Sequence, residues 1–300
     1  MDNAEYKKFL EPSFISKLST LEIKAKKVVE GFMVGLHKSP YHGFSVEFSQ
    51  HRPYMQGDSI KNVDWKLFGK TEKFYIKQFE EETNLSAYVL VDVSKSMDFK
   101  YTSEITKFEY ANTLAASLIY LLNKQRDAAG LVLYSDKIET YLEPKAAKTY
   151  LKVLFSALVN QKLSGKTNTA ECLNIVAEKI KKRGMIIIIS DFFDNSEKVI
   201  NALKHFHYKN NDVIVFQLLD RIESTFNFGR DAIFIDKETG EEMTTQSSQI
   251  QKSYIDAFKN FTDKIRTECL KYGIDYNLVF TDMSYDKALQ SFFIKRSKLH

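Results

Sequence analysis

The chain has 300 residues, 44% of them hydrophobic, with 43 basic against 39 acidic side chains and a net charge of +4. That length supports a substantial core in one large or two smaller domains, and a charge so small and evenly spread argues against a nucleic-acid-binding surface. The longest unbroken apolar runs, such as 185–189, are about five residues, far below the ~20 needed to span a bilayer. The opening MDNAEYKKFLEPS lacks the basic-then-apolar order of a signal peptide. Cys172 and Cys269 have no C-x-x-C spacing and suit a reducing compartment. A cytoplasmic protein without a membrane span is expected.

The first predicted element is a helix over 13–33, where Phe14, Leu18, Leu21, Ala25, Val28, Val29 and Phe32 recur near three- and four-residue spacing. An irregular stretch rich in turn formers and aromatics follows, with a short strand at 45–48. Asp58 is placed to cap a helix running through Phe68, since its carboxylate accepts free N–H groups of the first turn. Phe74, Ile76 and Phe79 suggest a strand, with the acidic run 80–82 as its solvated exit.

From residue 86 strands and helices alternate. A buried strand covers 87–92, and a helix over 104–124 carries Phe108, Ala111, Leu114, Ala115, Leu118 and Leu122 on one side. Residues 130–134 and 138–142 flank Ser135-Asp136 as a hairpin. Helices follow over 146–160 and from Thr169, then a buried strand at 185–190, a helix at 196–208 and a strand at 213–219. A hairpin across 231–246, a helix over 250–272, a strand at 276–280 and a helix at 284–293 complete the chain. Such alternation predicts an α/β fold, a mostly parallel sheet with helices on both faces. The expected division is an N-terminal accessory segment over 1–84 and the α/β domain over 85–300.

The most informative stretch is AYVLVDVSKS, residues 87–96, an apolar run ending in an aspartate with hydroxyls at alternate positions after it. Asp92, Ser94 and Ser96 form D-x-S-x-S at the C-terminal end of a strand, where ligands of α/β sheets usually bind. Thr167 sits in the turn GKTNT before a helix, and Asp191 ends the second buried strand. Three loops at one sheet edge then supply two carboxylates and three hydroxyls, a hard-oxygen set suited to Mg2+. The aspartates can also act through waters, orienting the ligands. Turn and capping roles for Asp92, Ser94 and Ser96 are the plainer alternative. Asp98, Asp136 and Asp194 lie in nearby loops and read as solvated.

This combination resembles the von Willebrand factor A domain and its metal-ion-dependent adhesion site, with Asp92, Ser94, Ser96, Thr167 and Asp191 on the five ligand positions in order. The chain departs from the usual T-D-G after the fourth strand, having Ser190, Asp191 and Phe192 there, so its aromatics should reshape the rim. The preceding segment resembles the bacterial family often called DUF family fifty-eight, through Arg52, Tyr54, Gly57, Asp58, Asp64, Trp65, Lys77, Phe79 and Glu80. The resemblance implies partnership with a MoxR-type AAA+ ATPase in assembly or maturation of other proteins. A cation held by neutral hydroxyls would also take one more anionic oxygen, so docking of an acidic side chain, from that ATPase or from a protein client, on the bound metal is expected. Arg52, Asp58, Asp64 and Trp65 read either as an internal polar network or as a partner-binding face, the first being favoured.

The leading enzyme alternative is a magnesium-dependent phosphatase with Asp92 as nucleophile. The position two residues on is Ser94, so the acid/base carboxylate is missing. No complete phosphate loop occurs, since the residue five before Gly165 is Asn160, and no G-x-G-x-x-G follows a strand. His205 and His207 are two apart on a predicted helix and share no face, and His37, His42 and His51 show no regular ligand spacing. The expected protein is a binding module, not an enzyme.

Overall fold

The computed structural model describes residues 10–37, 51–53, 65–77, 85–229, 231–235 and 240–297. The helix expected over 13–33 is two, α1 (Pro12–Ser16) and α2 (Leu21–His37). Thr20 divides them, its hydroxyl accepting from the Ile23 amide at 3.2 Å in the manner of an N-cap. Strand β1 (His51–Pro53) pairs antiparallel with β2 (Tyr75–Lys77), and α3 (Trp65–Thr71) lies between them in sequence. The expected strand at 45–48, the Asp58 cap, Tyr54, Gly57, Asp64, Phe79 and the acidic run 80–82 fall outside the described residues.

The α/β domain then runs β3 (Ser86–Asp92), α4 (Lys107–Lys124), β4 (Ala128–Tyr134), β5 (Ile138–Lys145), α5 (Tyr150–Asn160), α6 (Thr169–Lys179), β6 (Met185–Ser190), α7 (Ser196–Tyr208), β7 (Asp212–Leu219) and α8 (Arg221–Thr225). A hairpin of β8 (Asp231–Ile235) and β9 (Glu242–Gln246) forms its own small sheet, followed by α9 (Ser247–Lys271), β10 (Asp275–Phe280) and α10 (Tyr285–Ser297). Helix α4 starts three residues later than its apolar pattern suggests. A capping box sets the start, with the Glu109 amide donating to Thr106 Oγ1 (3.1 Å) and the Thr106 amide to Glu109 Oε2 (2.8 Å). Strand β5 extends to Lys145, so the next helix begins at Tyr150 rather than 146.

The six-stranded sheet has the order β10-β7-β6-β3-β4-β5, parallel throughout except for the β4–β5 hairpin. This is the expected α/β fold, a mostly parallel sheet with helices on both faces. The period-two alternation of strands divides the core between the two faces. Val89, Val91, Ile187 and Ile189 meet α2, α4 and α10 through Val28, Phe32, Leu114, Leu118 and Phe292. Leu90, Ile186 and Ile188 meet α6, α7 and α9 through Leu173, Val176, Leu203, Phe206 and Ile265. The N-terminal helices thus share the core of the sheet. Among the described residues no helix is long and apolar enough to cross a membrane.

The chain winds outward in both directions from the centre. β3 is followed by β4 on one side, whereas β6 lies on the other, so β3 and β6 are neighbours whose onward connections diverge. In open α/β sheets this switch point leaves a crevice at the C-terminal strand ends, where ligands bind. Asp92 ends β3, and Asp191 follows the last residue of β6.

Candidate functional site

The loop after β3 is shaped by its own first residue. Asp92 Oδ1 accepts from the Ser94 amide at 2.9 Å, which turns the chain out of the strand. A short 3-10 turn over Lys95–Asp98 follows, anchored by the buried Met97. These turns bring Ser94 and Ser96 together, their hydroxyl oxygens 2.9 Å apart. Thr167 arrives from the loop before α6 and donates to Ser96 Oγ at 3.4 Å. Two backbone bonds hold that loop in place, from the Ser164 amide to Val93 O (3.1 Å) and from the Asn168 amide to Ser135 O (3.3 Å). Gly165 is needed for its route. Its φ is +71°, in the left-handed region that suits glycine, and a Cβ there would collide with the Asp136 carboxylate.

Asp92 is fully buried, and the donors to its carboxylate among the described residues are neutral. Besides the Ser94 amide, its Oδ2 accepts from Ser190 Oγ at 2.7 Å and Thr169 Oγ1 at 3.3 Å. Burial and the proximity of Asp191 push its pKa up to about 6, against the opposing hydrogen bonds from Ser94 and Ser190.

Asp191 is equally buried, but a cation holds it. Lys107 Nζ donates to Asp191 Oδ2 at 2.8 Å and to Glu223 Oε1 at 2.8 Å, with the lysine side chain 1% exposed. Burial alone would lower the lysine's proton affinity; the two carboxylates reverse that and raise it. Asp191 Oδ1 accepts from the Phe193 amide at 3.1 Å, and its carbonyl from Gln217 Nε2 at 2.9 Å.

Of the two aromatics after Asp191, one lies at the rim and the other in the core. Phe192 adopts φ +59° and points into the core, fully buried. Phe193 lies at the rim with its ring centroid 5.0 Å from Lys107 Nζ, and Phe99 approaches the same ammonium at 5.6 Å.

The structure therefore brings all five expected residues to one sheet edge. The Ser94–Ser96 spacing matches the ~2.9 Å between adjacent ligands of an octahedral ion with ~2.0–2.1 Å bonds. Asp92, Asp191 and Glu223 carry three negative charges and Lys107 one positive, so this buried cluster sums to −2. Both observations fit a divalent ion. Among the described residues no group of three or more His, Cys, Asp or Glu side chains could hold a metal, so any cation here depends on the hydroxyls.

Asp98 and Asp136 are exposed, as expected. Asp194 corrects the expectation of a solvated side chain. Its Oδ2 accepts from the Ala170 amide at 3.1 Å, tying the loop after β6 to the first turn of α6. Sequence reasoning missed Lys107, Glu223, Ser190 and Thr169 as members of the site. For Lys107 one signal existed, since a lysine at the first position of an apolar helix opposes the helix dipole and so invites a search for a compensating anion.

In the β1–β2 region Arg52 and Lys77 stand in the paired strands, at adjacent register steps. Trp65 is 56% exposed and packs edge-on against Phe68 (6.0 Å) and Phe74 (6.4 Å).

Among curated proteins, the chain is 23% identical over 235 residues to "Uncharacterized protein Rv1480" of Mycobacterium tuberculosis, covering 77% of this chain and 73% of that protein. Among solved structures, BatB from Bacteroides thetaiotaomicron is similar at 17% identity and a TM-score of 0.45, covering 70% of this chain and 98% of that one. The VWA domain of SpRpn10 is similar at 15% identity and a TM-score of 0.41, covering 69% and 94%. The model of the family described as "Protein of unknown function DUF58" matches residues 50–263, and the chain belongs to that family.

Proposed function

We propose that this chain is a metal-dependent protein-binding adaptor that works with a MoxR-type AAA+ ATPase in the assembly or maturation of other proteins. The observation that supports it best is the hydroxyl cluster of Ser94, Ser96 and Thr167 beside a buried carboxylate cluster with a net charge of −2, set at the switch point of the sheet. Mg2+ would be held there by Ser94, Ser96 and Thr167, with Asp92 and Asp191 orienting them. Because hydroxyls leave its charge uncancelled, the ion supplies a position for one further anionic oxygen. An acidic side chain of the ATPase, or of a protein client, is the natural partner for it. The reading places the protein in the cytoplasm and gives it no catalytic step.

The first test is thermal unfolding with and without magnesium, titrated into the millimolar range. A ligand bound only by the folded state stabilises it by about 2.7 kcal/mol at one hundred times its dissociation constant, so the midpoint should rise. Ser94→Ala with Ser96→Ala should remove the rise, and an equal rise in that variant would put the ion elsewhere. The second test is calorimetric titration with a MoxR-type ATPase, with and without chelator. Affinity indifferent to chelation would refute docking through the metal. The isolated chain should hydrolyse neither nucleotides nor phosphate esters. Magnesium-dependent turnover that disappears in Asp92→Asn would replace the adaptor reading with a phosphatase.

A further inference from the structure

Lys107 is a charged group at this edge whose chemistry the metal reading leaves unused. It is buried to 1% exposure, hydrogen-bonded at 2.8 Å to both Asp191 and Glu223, and flanked by the Phe99 and Phe193 rings. Its partners are themselves held. Glu223 Oε2 accepts from the Asp220 amide at 2.6 Å, and Asp191 is fixed by the Phe193 amide and by Gln217. An ammonium bound on two sides by anchored carboxylates and shielded by two aromatic rings has no low-cost alternative position, because moving it would strand buried charges.

We propose that Lys107 is the resident counter-cation of Asp191, and that by occupying this carboxylate it keeps Asp191 out of the inner coordination sphere of a divalent ion held by Ser94, Ser96 and Thr167. The inference rests on the metal-binding reading and sharpens it. Lys107 is then a positioning residue that sets how tightly the ion is held and how many waters it keeps. Asp191 still has free lone pairs after accepting from Lys107 and Phe193, so it orients those waters from the second shell. With only hydroxyls as direct ligands the ion stays weakly neutralised, which is what a docking site for an external carboxylate requires. A purely structural ion pair would look the same in the free protein but would have no influence on metal coordination.

The experiment uses the full chain with Mn2+ as the probe. Calorimetry gives its affinity, and water-proton relaxation gives the number of coordinated waters. Asp191→Asn in the otherwise native chain takes the cluster from −2 to −1 but removes no inner ligand, so affinity should change by less than about threefold. A loss of tenfold or more would overturn the proposal. Lys107→Met with Glu223→Gln removes one positive and one negative charge and so keeps the cluster at −2, but it releases Asp191. This variant should bind Mn2+ at least tenfold more tightly, with one coordinated water fewer. Tighter binding with the same water count would make Lys107 only an electrostatic neighbour, and equal affinity and water count would make it only structural; either result overturns the proposal. Should the double variant not fold, the Asp191→Asn comparison decides alone. If the native chain binds no Mn2+ while the double variant does, the adaptor's metal dependence fails but the blocking role of Lys107 stands. If neither binds, both readings fail.

Discussion

Asp92 and Asp191 end neighbouring strands, are both fully buried, and have opposite surroundings. Asp92 accepts from an amide and two hydroxyls, all neutral. Asp191 accepts from an ammonium as well as an amide. The first is surrounded by neutral donors, and the second is paired with an ammonium that it shares with Glu223. Identical residue types at equivalent strand ends thus acquire different roles from the loops that meet them. A third buried carboxylate extends the comparison. Asp220 accepts from the Thr102 side chain and from the amides of Tyr101 (2.8 Å), Thr102 (3.0 Å) and Ile222 (3.0 Å), so neutral donors satisfy it. Against the cost of burial, these bonds hold its carboxyl below the usual range.

The sharpest way to break the contrast is to remove the internal cation. Lys107→Met leaves Asp191 and Glu223 buried without a counter-charge, and losing one partner of a buried pair costs about 3–5 kcal/mol. Asp92→Asn should stay within about 1 kcal/mol of the parent in metal-free buffer, because its partners are neutral donors and hydroxyls can rotate to accept from an amide. Chemical denaturation of the two variants measures the difference, and equal losses would dissolve the distinction between the two aspartates.

Phe192 tests what the loop after β6 contributes. In its left-handed conformation a non-glycine residue is strained by roughly 1–2 kcal/mol, whereas loss of a buried phenylalanine costs about 3–5 kcal/mol. Burial outweighs strain, so Phe192→Gly should lower stability by about 1–4 kcal/mol in the same assay. A stabilised variant would show that the backbone strain dominates.

Asp220 sharpens the comparison through pH. Its folded-state pKa is lowered, so its contribution is fully present above the ordinary carboxylate value of about 3.9. It is lost as the pH falls from there through the folded-state value. Asp220→Asn should cost about 1.5–3 kcal/mol at neutral pH, the range for hydrogen bonds to a charged group. It should also flatten the acid limb of the stability profile. An unchanged acid limb would mean that other carboxylates govern it.

The smallest effect on stability is expected at Thr167. It lies in a half-buried loop, and Thr167→Ala should cost less than about 1 kcal/mol. Capture of the ATPase in the presence of magnesium should nevertheless fall at least tenfold. A variant that keeps full magnesium-dependent capture would remove Thr167 from the ligand set and leave the comparison to the Ser94–Ser96 pair.

Much of this could be read from the chain alone. Buried strands 87–92, 185–190 and 213–219 announce themselves as continuous apolar runs, and two-sided burial of a parallel strand requires that composition. The five hydroxyl and carboxylate residues could be named because each stands at a strand end or before a helix, positions defined by local pattern. Local capping was less legible, as at Thr20, which splits one apolar periodicity into two helices, and at Thr106, which delays α4. Apolar spacing reports which face of a helix is buried but not where its first hydrogen bond closes.

The sequence by itself determined the α/β class, the strand ends and the oxygen-bearing residues placed there, because these depend on side-chain alternation and on turn chemistry within a few residues. Only the tertiary structure decided how the charges are shared. Lys107 stands 84 residues from Asp191 and 116 from Glu223, and no periodicity links them. Their meeting depends on how the ends of β6, β7 and α4 converge once both faces of the sheet are packed. In a low-dielectric interior that convergence pairs one aspartate with an ammonium and leaves the other among neutral donors.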